Sequence, residues 1–468
     1  MNSFIFTLSR NSRSQFFISN FLSLKAILIG CLAALTMRVS AQPAKHVVLI
    51  SIDGLHPDMY LDSTWPASNL RALMKAGTYA EHMKSVFPAY TYPSHTAMLT
   101  GALPARSKVC YNQPKGSRGE WNWYAKFIKV PTIWEALHRN GLTTAAVMWP
   151  GSVGAEINYN ISEIWDPEHS DDRATEVKRH ATPGLFEEIE RNATGRLDST
   201  NMNDNYLSLD ENTGRMGAYI LKTYKPAFLA LHFACVDGME HEFGRDGDSV
   251  RLAVEANDRA IGDIMEAIGQ SGMQDSTTVI IVGDHGFSTI HQIFRPNILI
   301  RDISAKFTAA GGSAFLYTSD KNVKGIIDAV TNILDKLPAD KRRLFRIVNR
   351  NELDQMGADS SAVMALAAVP GLAFSGSMGN GQTINNGPGT LIQQSKLEGL
   401  FIPTSGGHHG YDPNIPDMWT GFIAAGAGIN KGAKIKEICV TDISPLIAKL
   451  LGIEFKTPDG KLVPGILK

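Results

Sequence analysis

Cysteine is scarce: the 468 residues hold four. Cys31 lies in an N-terminal apolar stretch. Cys110, Cys235 and Cys439 cannot form a full disulfide framework, and none has zinc-finger spacing. Charge of one sign is lacking too. Lys+Arg number 45 and Asp+Glu 46, a formal net charge of −1, and no block of basic residues stands out. That balance argues against a nucleic-acid polymer as a stable partner. Beyond the N-terminal stretch no apolar run is long enough to span a bilayer, so no transmembrane segment is expected there. No internal repeat and no Pro/Ser-rich linker divides the chain. Its length exceeds a typical single domain, and the unbroken alternation of strand-like and helix-like segments points to one large α/β domain with an inserted subdomain.

The N-terminus is basic, then apolar, then small. Arg10, Arg13 and Lys25 precede the stretch Ala26 to Leu35, and Val39-Ser40-Ala41 offers small residues at a cleavage site. This is the pattern of a secretory signal peptide over residues 1–41, cut before Gln42. It predicts a periplasmic or secreted protein. Leu28-Ile29-Gly30-Cys31 also resembles a lipoprotein box, so anchoring through Cys31 is the alternative. However, the apolar run continues past that cysteine, where a lipoprotein usually turns polar. All of the acidic residues lie in 42–468, which is therefore mildly acidic once the basic leader is removed.

What the chain has is three apolar, β-branched runs that each end on an aspartate: Val47 to Asp53, Phe228 to Asp237 and Val279 to Asp284. Continuous rather than alternating apolar runs suit strands of a parallel sheet covered on both faces. Ligands of open α/β sheets gather beyond the carboxyl ends of the strands. Three carboxylates delivered there would repel one another unless something positive held them. His241 follows Asp237 by four residues and His285 follows Asp284 directly. Oxygen and imidazole donors together point to a divalent metal, zinc first. Five such donors exceed one tetrahedral shell, so two ions are expected. Cys235, inside a predicted strand, reads as a small hydrophobe.

Further elements follow from pattern and punctuation. Helices are expected at 68–76, near 94–99, 132–139, 175–191, 205–222, 248–269 and 444–451, and further strands at 78–86, 143–148 and 419–424. The rhythm breaks between about 295 and 405, with Gly-rich joints at Gly311-Gly312 and across 375–389, which suggests a cap or insertion.

The segment Phe87-Pro88-Ala89-Tyr90-Thr91-Tyr92-Pro93-Ser94-His95 adds a recognisable pattern. With Ile52-Asp53-Gly54, Asp237-Gly238-Met239-Glu240-His241, Gly283-Asp284-His285-Gly286 and His409-Gly410-Tyr411, it resembles the type I phosphodiesterase/nucleotide pyrophosphatase family of the alkaline phosphatase superfamily. The resemblance covers almost the whole of 42–468. It implies an alkaline-phosphatase-like three-layer α/β/α sandwich with a mostly parallel central sheet, an inserted cap and a two-zinc site. Asp53, Thr91, Asp284 and His285 would hold one ion, and Asp237, His241 and His409 the other. Manganese would tolerate the same donors. Thr91, which alone reads as a turn residue between two prolines, would be the nucleophile and would carry the phosphoryl group. Asn112, twenty-one residues on, would donate to a phosphoryl oxygen. His95 would order the loop, and His408 is set aside in favour of His409 because Gly410-Tyr411 follows the latter directly.

The chain also departs from the family. His232 stands where nucleotide-cleaving members usually have a base-stacking tyrosine and could stack on substrate in its place, though less well, and Ser94 replaces the usual asparagine. Trp121, Trp123 and Tyr124 are candidates to line the substrate pocket by stacking. The expected activity is hydrolysis of a phosphodiester or pyrophosphate bond in a nucleotide or other small phosphorylated substrate. A phosphomonoesterase or phosphonate hydrolase is the alternative on the same scaffold. Monoesters need extra cations for their second charge, for which Lys126 and Lys129 are the candidates. A sulfatase is disfavoured, since Thr91-Tyr92-Pro93-Ser94-His95 lacks both the Cys or Ser nucleophile and the arginine. A non-catalytic binding protein is disfavoured by the intact ligand set.

Overall fold

Apolar strands with both faces covered build the centre of the molecule. The structure, a computed structural model, describes residues 44–468 apart from 118, 204–206 and 379–398. The expected signal peptide, Cys31 included, and most of the joint at 375–389 lie outside the described residues. Six strands carry the core: β1 (His46–Ile52), β2 (Thr78–Lys84), β3 (Thr144–Val147), β4 (Tyr159–Ile161), β5 (Phe228–Phe233) and β6 (Thr277–Gly283). Strands Phe422–Gly426 and Ala433–Cys439 complete an eight-stranded sheet. Its order is Ala433–Cys439, β2, Phe422–Gly426, β6, β1, β5, β3, β4, and only Phe422–Gly426 runs antiparallel to its neighbours.

Alternate side chains of β1 enter opposite cores, as a pleated strand requires. Val48, Ile50 and Ile52 pack with Met216 and Ile220 of helix Ser208–Tyr224 and with Ile261 and Ile264 of helix Asp248–Gln270. Val47 and Leu49 join Met98 of helix Thr91–Thr100, Trp134 of helix Ile133–Arg139 and Leu446 of helix Ile443–Leu450. The result is the expected three-layer α/β/α sandwich. The register pairs Ile52 with both Phe233 and Gly283. Asp53 and Asp284 therefore leave adjacent strands side by side.

Most expected elements are shifted by a few residues at an end, the strand expected at 419–424 being Phe422–Gly426, and three differences have a physical reason in the chain. The helix expected near 94–99 starts at Thr91, because Pro93 in a first turn forfeits no intrahelical bond. The helix expected over 175–191 is broken into Arg173–His180 and Leu185–Ile189, with Pro183 and Gly184 between them and Gly184 at φ 80°. The third run does not stay extended to Asp237. β5 stops at Phe233, and Asp237 sits in helix Cys235–Phe243.

Within the irregular span, strands Lys306–Ala310, Ser313–Tyr317, Phe345–Val348 and Met364–Ala368 form a separate four-stranded antiparallel sheet. It has its own core around Phe307, Leu316, Phe345 and Leu366, covered by helix Val323–Leu334. Its first hairpin turn touches the loop of His409: Gly312 N donates to His409 O at 2.9 Å and Ser313 Oγ to Gly410 O at 2.8 Å.

Candidate active site

The strand ends converge on a buried cluster. Asp53 and Asp284 follow β1 and β6, and His285 comes next in the chain. His285 Nε2 lies 3.2 Å from Asp53 Oδ1 and 3.2 Å from Asp284 Oδ2. Asp284 Oδ1 accepts from Gly54 N at 3.1 Å and from His285 N at 2.9 Å, so its other oxygen faces the cluster. Close approach explains the glycine before Asp284. A Cβ on Gly283 would lie 1.9 Å from Thr420 Oγ1 and 2.7 Å from Leu55 O.

Asp237 and His241 arrive by a different route. Four residues apart on helix Cys235–Phe243, they share one face, with His241 Nε2 3.5 Å from Asp237 Oδ1. The start of this helix is held by a buried carboxylate that the sequence reading did not identify. Asp210 accepts from Ala234 N, Cys235 N and Asn257 Nδ2 at 2.8, 2.9 and 2.7 Å. His409 closes the group, its Nε2 3.7 Å from Asp237 Oδ1 and its Nδ1 3.0 Å from Ala89 O. Among the described residues three trios of ligand atoms result: Asp53–Asp284–His285, Asp237–His285–His409 and His241–His408–His409. His408 thus sits as close to His241 as His409 does, which chain order alone did not reveal.

Thr91 begins its helix beside this cluster. Its Oγ1 is 3.3 Å from His285 Nε2, and it belongs to the first turn of a ten-residue helix, where the backbone N–H groups and the dipole favour an anion. His95 contacts the Thr91 carbonyl through Nδ1 at 2.8 Å, in keeping with a role in ordering the loop. The Asn112 amide is oriented by Tyr92 N, which donates to its Oδ1 at 3.1 Å.

Burial and mutual repulsion set the charges here. The Asp53 carboxyl is held well above the carboxylate range by desolvation, then by Asp284 and Asp237, and desolvation pushes Asp284 up to about 7. Desolvation, then neighbouring imidazoles, drives His285 and His409 well below their ordinary value, so both rings are neutral, the form that binds a metal. Asp53 Oδ1 and Asp284 Oδ2 are buried without a hydrogen-bond partner among the described residues. Buried carboxylate oxygens left this way, beside neutral imidazoles, fit a divalent cation.

A cleft of about 420 Å³ opens at the cluster, lined among others by Tyr90, Tyr111, Asn112, Lys115, Trp121, Tyr317, His241, His408 and His409. Three of the expected pocket residues are placed elsewhere. Trp123 is buried in the main core with its ring 4.9 Å from that of Trp165. Tyr124 packs edge-on to Phe127 and bridges to Val153. His232 is buried too. Its Nε2 is 3.2 Å from Asp53 Oδ2 and its ring stands edge-on to His95, leaving no face for a base. Trp121 thus lines the cleft, whereas Trp123 turns into the core. Lys126 and Lys129 do not line the cleft, whereas Lys115 does, its Nζ 4.5 Å over the Tyr317 ring. Tyr90, Tyr111, Lys115 and Tyr317 were not anticipated. Tyr317 belongs to the separate sheet, and no local pattern points to it.

Carboxylates and imidazoles gathered at the carboxyl ends of a parallel sheet, in a chain whose relatives are phosphodiesterases and nucleotide pyrophosphatases, mark an enzyme that hydrolyses phosphoric esters. The chain belongs to the type I phosphodiesterase / nucleotide pyrophosphatase family, whose profile matches residues 47–412. It is 25% identical over 437 residues to bis(5'-adenosyl)-triphosphatase enpp4 of Mus musculus, covering 90% of this chain and 81% of that protein. It is 22% identical over 437 residues to ectonucleotide pyrophosphatase/phosphodiesterase family member 7 of Homo sapiens, covering 89% and 82%. Its fold is similar to that of an inactive murine ectonucleotide pyrophosphatase / phosphodiesterase 5 in complex with AMP. There the TM-score is 0.65 at 17% identity, over 91% of this chain and 100% of the other.

Proposed function

We propose that this protein is an exported, metal-dependent hydrolase of phosphodiester or pyrophosphate bonds in nucleotides or other small phosphorylated compounds, working through a phosphorylated Thr91. The observation that carries this reading is the position of Thr91 Oγ1, at a helix start and 3.3 Å from His285 Nε2. Asp53, Thr91, Asp284 and His285 would hold one divalent ion and Asp237, His241 and His409 a second, zinc being favoured by the mixed oxygen and imidazole donors. Bound there, zinc would supply positive charge that acidifies a hydroxyl or water and neutralises phosphoryl oxygens.

The protein's own groups supply the rest. The Thr91 oxygen attacks phosphorus, the bond to the leaving oxygen breaks, and that oxygen takes up a proton. Water then displaces Thr91 and releases the phosphorylated product. Asn112, its Oδ1 engaged by Tyr92 N, presents its NH₂ to a non-bridging oxygen where charge builds. The aromatic walls of the cleft receive a planar or apolar part of the substrate. The separate sheet within 295–405 serves as a cap over the site, and residues 1–41 direct export.

The test compares kcat/KM of zinc-reconstituted protein on a nitrophenyl phosphodiester and on the matching monoester, for wild type and Thr91→Ala. A clear diester preference is expected, with folded Thr91→Ala lower by about 10³-fold or more. Near wild-type turnover in that variant would reject the nucleophile. A monoester preference would favour the phosphatase alternative, with Lys115 in place of Lys126 and Lys129 as the added cation.

A further inference from the structure

The loop carrying Asn112 is tied to the separate sheet by a chain of side-chain hydrogen bonds. Tyr111, the residue before Asn112, meets the Tyr317 hydroxyl through its own, and Tyr317 donates to Asp359 Oδ2 at 2.7 Å. With the Tyr317 O–H directed at Asp359, the Tyr111 hydroxyl is the donor to Tyr317. Asp359 is anchored in turn: its Oδ1 accepts from Ser361 N and Ser361 Oγ, each at 2.8 Å, and its carbonyl accepts from Arg350 Nη1 at 2.9 Å. The Tyr111 ring packs edge-on against Phe315 of the same strand as Tyr317, with centroids 5.4 Å apart.

On its other side the loop is fixed by Asn122. Asn122 Nδ2 donates to Tyr111 O at 2.7 Å and Asn122 N to Asn112 O at 2.8 Å. The Asn112 backbone is thus clamped between Asn122 and a pillar that ends in the separate sheet, while Tyr92 N orients its amide. Burial holds both phenols above their ordinary pKa, so the pillar keeps its protons through the neutral range.

We propose that Tyr111, Tyr317 and Asp359 are positioning residues for Asn112, so that the separate sheet helps set the geometry of the phosphoryl-oxygen donor as well as walling the cleft. The inference rests on the reading of Asn112 given above. Donors aimed at developing charge lose their effect when displaced by small distances.

Tyr317→Phe keeps the ring and deletes the central hydroxyl. In the zinc-loaded mature chain it is expected to lower kcat on a nitrophenyl phosphodiester about tenfold, with KM within about twofold and a thermal midpoint lowered only as the loss of part-buried hydrogen bonds requires, the variant remaining folded at the assay temperature. The rate penalty for replacing a non-bridging oxygen by sulfur should shrink toward that of Asn112→Ala, a change that a purely architectural role would not produce. Tyr111→Phe should match it, and the double variant should be no slower than either single one, because all three break one chain. Asp359→Asn, which keeps an acceptor, should retain more activity than Asp359→Ala. A folded Tyr317→Phe or Tyr111→Phe with wild-type kcat and sulfur penalty would overturn the proposal. Wild-type protein without diester turnover would remove the Asn112 reading itself, whereas normal wild-type turnover with indifferent variants removes the pillar alone.

Discussion

Trp121 and Trp123 show how much two residues of separation decide. Trp121 lines the cleft beside Asn112, and Trp123 is 3% exposed in the main core. Truncating them should therefore fail in different ways. Trp121→Ala is expected to raise KM for an aromatic diester by about tenfold, the loss of one stacking contact, while kcat and the thermal midpoint hold. Trp123→Ala should cost about 3–5 kcal/mol of stability, as a large core deletion does, with KM unchanged in whatever remains folded. Parallel denaturation curves and saturation kinetics read both, and the reverse pattern would move Trp123 into the substrate site. His232 follows the same logic. Its type suggested stacking, but its neighbours make it a partner of Asp53.

At the scale of elements, the short helix Cys235–Phe243 delivers two of the metal-ligand candidates, and its orientation depends on Asp210. The Asp210 carboxylate satisfies two N–H groups at the point where β5 turns into the helix, groups that nothing within the helix can satisfy. Asp210→Ala strands those donors and the Asn257 amide in a buried place. The expected cost is about 3 kcal/mol, together with weaker zinc binding, measurable by thermal melting and by competition with a chromophoric chelator. Asp210→Asn retains one acceptor and should fall between. A variant that melts and binds zinc like wild type would show that the helix is held by packing alone.

For the whole molecule, the concentration of buried carboxylates makes the site a source of instability unless a cation is bound. Asp53 and Asp284 have folded-state values above those of an unfolded chain, Asp284 at about 7. Between about pH 4 and 7 these two carboxyls hold more protons folded than unfolded, a contribution to metal-free stability that falls as pH rises, whereas the imidazoles of His285 and His409, held below their ordinary value, contribute with the opposite sign. A cation removes the carboxylate repulsion whatever that balance. Added zinc should raise the melting midpoint of chelated protein at pH 5.5 and at pH 7.5, and more at pH 7.5, where fewer protons have to leave. A chelated protein whose midpoint is indifferent to zinc at both pH values would deny the cluster a metal.

The sequence by itself determined the class of the fold and the convergence of Asp53, Asp284 and His285, because apolar runs that end on aspartate have few places to go other than the carboxyl ends of a covered parallel sheet. Its motifs also singled out Thr91 and Asn112. Tertiary structure decided what local pattern does not encode. That Asp237 leaves the strand for a helix depends on Asp210, which lies 27 residues earlier in the chain. That Tyr317 reaches Tyr111 across 206 residues depends on the packing of a separate sheet. Which aromatic ring faces the cleft depends on which one the core can bury. Periodicity reports the face that a segment offers, whereas the partner on that face is chosen by long-range packing.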